Sequence, residues 1–258
     1  MKKGIDVSHY QGQIDWPAVK AGGIGFAMIR VGWTHYEGGL TLDDRFVQNI
    51  EGANAAGIPA GVYAYGYDLS PGAARISAAQ VIEAVKPYRL EYPVCYDQEY
   101  EEVLMALSRT QRTEICAAFL ETVQKSRYYA MLYASKDWLE HWVFDEQLTD
   151  YDKWVAQYAD ACTYQGEFGI WQYGVMGEEG VKGQDYTIAG QVQGVAANCD
   201  VDFSYRDYPG IIREAGLNRL GSVSETNYEM LYKEAAREID LLRPKAEKYD
   251  QIRIIVNG

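Results

Sequence analysis

The chain has 258 residues, 48 % of them hydrophobic, and a formal net charge of −13. That length and apolar content suit one large domain with a small appendage, and no long charged or low-complexity tract marks disorder. The acidic balance excludes nucleic acid and anionic membrane surfaces as electrostatic partners, and no uninterrupted apolar run is long enough to cross a bilayer.

The charge is uneven along the chain: residues 1–210 carry 16 basic and 29 acidic side chains, residues 211–258 eight of each. At the start, Met1-Lys2-Lys3-Gly4-Ile5-Asp6 meets an acid before an apolar core develops, so no secretory signal peptide is expected and the chain should be made in the cytoplasm. A strand is predicted over 5–7, with Asp6 near its end, and a helix over 16–21. Gly22-Gly23-Ile24-Gly25 lacks the strand–loop–helix order and the lysine of a nucleotide loop, so it reads as the turn into the next strand, 26–31. A helical pattern over 44–56 stops at Gly57, with Ile58-Pro59 behind it. The strand expected over 60–67 repeats tyrosine at Tyr63, Tyr65 and Tyr67, a period that suits a cleft wall or a tyrosine-lined core.

A helix over 73–85 and a strand over 94–99 follow. Ser108-Arg109-Thr110-Gln111 then has the form of a capping box opening a helix over 110–126. Further strands are expected over 129–133, 154–157, 170–173 and 198–203, with few helices between them. Strands alternating with helices indicate parallel β-α units, and about eight strands at this length indicate an α/β fold, an irregular (β/α) barrel over 1–210 whose last third is mostly β. Residues 211–258 differ. Leu231, Ala235, Ile239, Leu242, Ala246 and Tyr249 mark one amphipathic helical face, entered at Thr226 and Glu229 and interrupted by Pro244, with a short strand over 252–256. The face over 226–249 is expected to pack on the barrel or to serve self-association or docking of a partner.

Four scattered cysteines and three histidines form no metal-ligand spacing, so reduced buried thiols and no metal are expected. The carboxylates are more informative. Asp97 and Glu99, in Tyr96-Asp97-Gln98-Glu99-Tyr100, sit two apart at the end of a buried strand and so point the same way, about 7 Å apart along the backbone. Two acids so placed suit glycosidic hydrolysis, in which one protonates the leaving oxygen and the other manages the oxocarbenium-like centre. In a parallel barrel the chemistry gathers at the C-terminal ends of the strands, where Asp6 joins them. Asp200 and Asp202, on the last strand, share a face, so alternation does not choose between them. Among the aromatics, Tyr65, Trp171, Tyr63 and Tyr173 are candidates for stacking on sugar, whereas Trp16 and Trp138 look like packing residues.

Gly4-Ile5-Asp6-Val7-Ser8-His9-Tyr10-Gln11-Gly12, followed by Ile14-Asp15-Trp16, resembles the opening of the glycoside hydrolase family 25 muramidases, the Chalaropsis-type lysozymes of bacteria and their phages. Further matches come in the family's order: Phe26-Ala27-Met28-Ile29-Arg30, Gly61-Val62-Tyr63-Ala64-Tyr65, Pro93 to Glu99, Trp154-Val155-Ala156-Gln157-Tyr158, Trp171-Gln172-Tyr173 and Val201-Asp202. The resemblance covers residues 3–210. It departs at Tyr96, where the family is often aliphatic, and at Ser204, where it often has asparagine; neither change removes an acid. The resemblance implies cleavage of the β-1,4 bond between N-acetylmuramic acid and N-acetylglucosamine of peptidoglycan, with retention and without a cofactor. It makes Glu99 the general acid and Asp97 either the nucleophile or the group that orients the substrate's own acetamido. Asp6 and Asp202 become the floor, the match favouring Asp202 over Asp200. A lysozyme of this kind without a signal peptide suggests a phage or prophage product. Two alternatives stand beside it: a related barrel glycosidase acting on chitin-like substrates, and a glycan-binding virion protein without turnover.

Overall fold

The computed structural model describes residues 1–177 and 187–220. Its strands run in chain order as β1 (Lys2–Val7), β2 (Phe26–Thr34), β3 (Leu40–Leu42), β4 (Ala60–Tyr65), β5 (Val94–Gln98), β6 (Ala130–Ser135), β7 (Asp152–Ala156), β8 (Ile170–Gly177), β9 (Thr187–Ala189) and β10 (Cys199–Ser204). Eight of them close a barrel in the order β1-β2-β4-β5-β6-β7-β8-β10, while β3 forms a hairpin on β2 and β9 pairs with β8. The helices are α1 (Trp16–Ala21), α2 (Phe46–Ala55), α3 (Pro71–Val85), α4 (Glu102–Met105), α5 (Arg109–Lys125) and α6 (Tyr208–Glu214). Among the described residues no helix is long and apolar enough to cross a membrane.

The strands are apolar on both faces because each face meets its own core. Outward side chains such as Ile5, Ile29, Val62, Leu132 and Val155 pack with the helices in the larger cluster. Inward ones, including Phe26, Met28, Cys95, Met131 and Trp154, fill the lower barrel as a second cluster. Tyr96 faces outward, stacked on Phe119 with ring centroids 4.1 Å apart, and its hydroxyl donates to Asp68 Oδ2 at 2.8 Å. The departure from an aliphatic residue at Tyr96 therefore lies outside the barrel interior. Trp16 and Trp138 are buried, as packing residues should be.

Several local signals act as expected. Ser108 Oγ accepts from Gln111 N and the Gln111 side chain accepts from Ser108 N, so both halves of the capping box are made. Helix α2 ends at Ala55, and Gly57 follows with φ +66°, a left-handed position that a side chain would strain.

The structure also departs from the expectations. The strands end earlier than predicted, at Tyr65 and at Gln98, because the chain turns away toward Asp68 and into α4. β10 runs antiparallel to both neighbours, β1 and β8, a direction that the expectation of an irregular, mostly β last third left open. Helix α6 crosses residue 210, and Asn218 beyond it donates to the carbonyls of Leu90 and Tyr92 at 3.1 and 2.9 Å. Residues to 220 are thus part of the barrel's closed floor. The helix and face expected over 226–249 and the strand over 252–256 lie outside the described residues.

Candidate active site

The mouth at the C-terminal ends of the parallel strands opens into a cavity of about 500 Å³, lined by Asp6, Arg30, Tyr63, Tyr65, Asp97, Glu99, Tyr133, Trp154, Gln172 and Asp200, among others. Most of these are inward positions of successive strands, and Tyr63, Tyr133 and Trp154 join the layer to the apolar filling below it. Alternation therefore builds the site: on β2, Phe26 and Met28 fill the barrel, and Arg30, two residues on, reaches the mouth.

Each acid has its own setting. Asp97 is 3 % exposed and its Oδ1 has no hydrogen-bond partner. Burial pushes its carboxyl well above the usual range, Glu99 adds to the rise, and the Arg30 guanidinium opposes it. Glu99, just past the end of β5, is raised to about 7, chiefly by burial and then by the charges of Asp200 and Glu101. Gln172 Nε2 donates to Asp6 Oδ2 at 2.9 Å, and Tyr133 OH donates to the same glutamine's Oε1 at 2.9 Å. Burial and the neighbouring Asp200 and Asp202 charges raise Asp6.

The antiparallel run of β10 separates the two aspartates that alternation left together. Asp200 stands opposite Asp6 at the mouth, where Tyr158 OH donates to its Oδ1 at 3.0 Å. Asp202 stands one layer deeper, opposite Gly4; it is fully buried, and Trp154 Nε1 donates to its Oδ1 at 2.7 Å. Ser204 does not serve Asp202, since its hydroxyl donates to the Arg206 carbonyl.

Of the aromatic candidates, Tyr63 and Tyr65 line the cavity, and Tyr65 OH donates to Glu101 Oε1 at 2.7 Å. Trp171 and Tyr173 do not line it. Gln172 takes the inward position on β8, so its two neighbours face outward, where Tyr173 stacks on Phe203 at 4.4 Å and Trp171 Nε1 donates to the Gln157 carbonyl. Arg30, Tyr133, Gln172, Trp154, Tyr10 and Tyr100 were not singled out in the sequence, yet all line the mouth. For Arg30 a signal existed: a charged residue at the inward parity of an otherwise apolar strand. Its guanidinium pairs with the buried Asp43 at 2.7 Å. Among the described residues no group of three or more His, Cys, Asp or Glu side chains is arranged to hold a metal ion.

Comparison with known proteins agrees with this geometry. Residues 5–193 match the model of the glycosyl hydrolases family 25. A stretch of 61 residues is 48 % identical to Lysozyme M1 of Streptomyces globisporus, covering 24 % of this chain and 19 % of that protein, so the chain spans about a fifth of that relative's length. The modular autolysin LytC of Streptococcus pneumoniae, solved with a synthetic peptidoglycan ligand, superposes with a TM-score of 0.63 at 26 % identity, over 78 % of this chain and 46 % of that one. The bacterial lysozyme of Streptomyces coelicolor gives a TM-score of 0.63 at 23 % identity over 85 % of this chain and 98 % of that one, a likeness of fold. With the family's profile running through β1, β2, β4, β5, β6, β7 and β8 and an acid-lined mouth at their ends, the chain belongs to the family 25 glycosyl hydrolases.

Proposed function

We propose that the chain is a peptidoglycan hydrolase of the cell wall, a muramidase that cuts the β-1,4 bond between N-acetylmuramic acid and N-acetylglucosamine with retention. The observation that carries this reading is the unequal setting of two adjacent carboxyls over one cavity. Glu99 holds its proton to about pH 7, while Asp97 keeps an oxygen unpartnered beside Arg30. Glu99 donates its proton to the glycosidic oxygen, a step commonly worth about 10²–10⁴ in rate. The two carboxyls titrate together, and Arg30 draws the negative charge of the pair toward Asp97. The Asp97 carboxylate, which lines the cavity, accepts the acetamido N–H of the bound sugar and turns that group's oxygen toward the anomeric carbon. Water later opens the resulting ring with Glu99 as base, which restores the original configuration. Asp6 and Asp202 form the acidic floor, with Gln172 and Trp154 fixing their oxygens. Tyr63 and Tyr65 form part of the wall against which the sugar packs.

The test is reducing-end release from purified peptidoglycan, with mass spectrometry of the fragments. Products ending in reducing N-acetylmuramic acid, lost in Glu99→Gln, are expected. Products ending in reducing N-acetylglucosamine would move the assignment to a glucosaminidase.

A further inference from the structure

Beside the catalytic cavity, and sharing Arg30 and Tyr65 with it, lies a second recess. A space of about 450 Å³ lined by Arg30, Tyr65, Tyr67 and Glu101 leads from the mouth over the ends of β2 and β4. It shares Trp33, Tyr67 and Glu101 with an outer pocket of about 640 Å³, which Tyr36 and Glu37 complete. We propose that this outer pocket binds a primary ammonium group carried by the wall polymer, so that the enzyme favours peptidoglycan with free amines close to the cut bond. The proposal rests on the muramidase reading and adds a specificity site to it.

Three features point to a cation. First, the pocket presents the rings of Tyr36 and Tyr67, and aromatic faces attract ammonium groups through their quadrupoles; the third ring, Trp33, already has the Arg30 guanidinium 5.9 Å from its centroid. Second, it holds two carboxylates, Glu37 and Glu101, and the one basic side chain among the described residues that line it is His35, whose Nε2 is paired with Thr41 Oγ1 at 2.9 Å. The Glu101 carboxylate is held in place: Tyr65 OH and Tyr67 OH both donate to its Oε1, at 2.7 and 3.2 Å, and no hydrogen bond to its Oε2 occurs among the described residues. Third, the wall of the pocket is anchored. The turn between β2 and β3 is tied to α3 where Gly39 N donates to Ser77 Oγ and Leu40 N to Gln80 Oε1, at 3.0 and 2.9 Å, and Leu69 N donates to the Tyr36 carbonyl at 3.1 Å.

The reach is adequate. Tyr65 lines the catalytic cavity and Tyr67 lines the outer pocket, with their ring centroids 5.2 Å apart. A stem peptide leaves the muramic acid, and three extended residues span about 10 Å, which brings a diamino-acid side chain there. A de-acetylated glucosamine of the glycan carries the same ammonium chemistry.

The test measures kcat/KM for reducing-end release on four preparations of one peptidoglycan: untreated, N-acetylated with acetic anhydride, stripped of its stems by an amidase, and stripped and then N-acetylated. It uses the wild type, Glu101→Gln and Tyr36→Ala; Tyr36 is exposed, so its truncation leaves the fold intact. The wild type should prefer untreated over acetylated wall by roughly two- to tenfold, the scale of one ammonium–aromatic contact, and both variants should bring that ratio toward one. A preference that also disappears on stripping places the amine on the stem; one that survives stripping places it on the glycan. Equal wild-type rates on untreated and acetylated wall, or a ratio that both variants retain, would overturn the proposal while leaving the muramidase reading intact. No release from any preparation would overturn both.

Discussion

Replacing Glu99 by glutamine should remove activity and stabilise the protein, and the stabilisation should depend on pH in a definite direction. The Glu99 carboxyl rises from 4.5 to about 7 on folding. A carboxyl raised in this way costs nothing while both states are protonated, below about pH 4.5. As pH climbs to 7 the unfolded chain releases the proton and the folded one does not, so stability is lost across that window. With about 1.36 kcal/mol for each factor of ten, the full cost approaches ~3 kcal/mol at neutral pH. Sharing of charge with Asp97 reduces the part that one substitution recovers, so about 1–3 kcal/mol is expected. For a domain of this size that corresponds to a rise in Tm of roughly 2–10 °C at pH 7.5, shrinking to almost nothing at pH 4. Calorimetric melts of both proteins from pH 4 to 8, with reducing-end assays on the same samples, would measure it. A stability difference of the same size at pH 4 and pH 7.5 would refute the electrostatic account of the site, and full activity in the variant would refute the role of Glu99.

Further expectations follow from the same geometry. Asp200→Asn removes the largest charge acting on Glu99, so the basic limb of the pH–rate profile should move to lower pH, by less than about one pH unit across a water-filled cavity; an unmoved limb would exclude that coupling. Gly66→Ala places a Cβ against Gln98 Nε2 and 2.9 Å from the Asp97 carbonyl oxygen, so it should cost about 1–3 kcal/mol and lower kcat by displacing the end of β5. Ser108→Ala deletes the cap of α5, which does not line the cavity, and should cost about 1 kcal/mol in chemical denaturation with kcat unchanged.

Much of the fold could be read from local patterns, because its signals are local. The capping box at Ser108, the stop at Gly57 and the alternation of apolar strands with helices each depend on neighbours a few residues away. The direction of β10 does not. It depends on which edge of the ring is left open after β8, a long-range fact that no short window records, and it decides that Asp200, not Asp202, reaches the mouth beside Asp6. The same limit explains Trp171 and Tyr173. Trp171-Gln172-Tyr173 suits either parity when both faces of a strand are buried, and only pairing with β7 and β10 turns Gln172 inward. The acids Asp6, Asp97 and Glu99 were legible because desolvating a carboxylate at the end of an apolar strand is costly, and packing alone gives no return for it. Arg30 stands in the same relation to β2, and reading basic residues by the rule applied to acidic ones would have found it.

The reversed last strand also settles where the barrel can be tethered. β1 rises toward the mouth and β10 descends from it, so the chain enters and leaves the barrel at the same end, and Lys2 meets Asp207 at 3.5 Å. Six residues of strand set that end about 20 Å from the reactive opening. A linker, an affinity handle or a solid support joined next to β1 would begin at the closed pole and leave the opening accessible to a large, insoluble polymer.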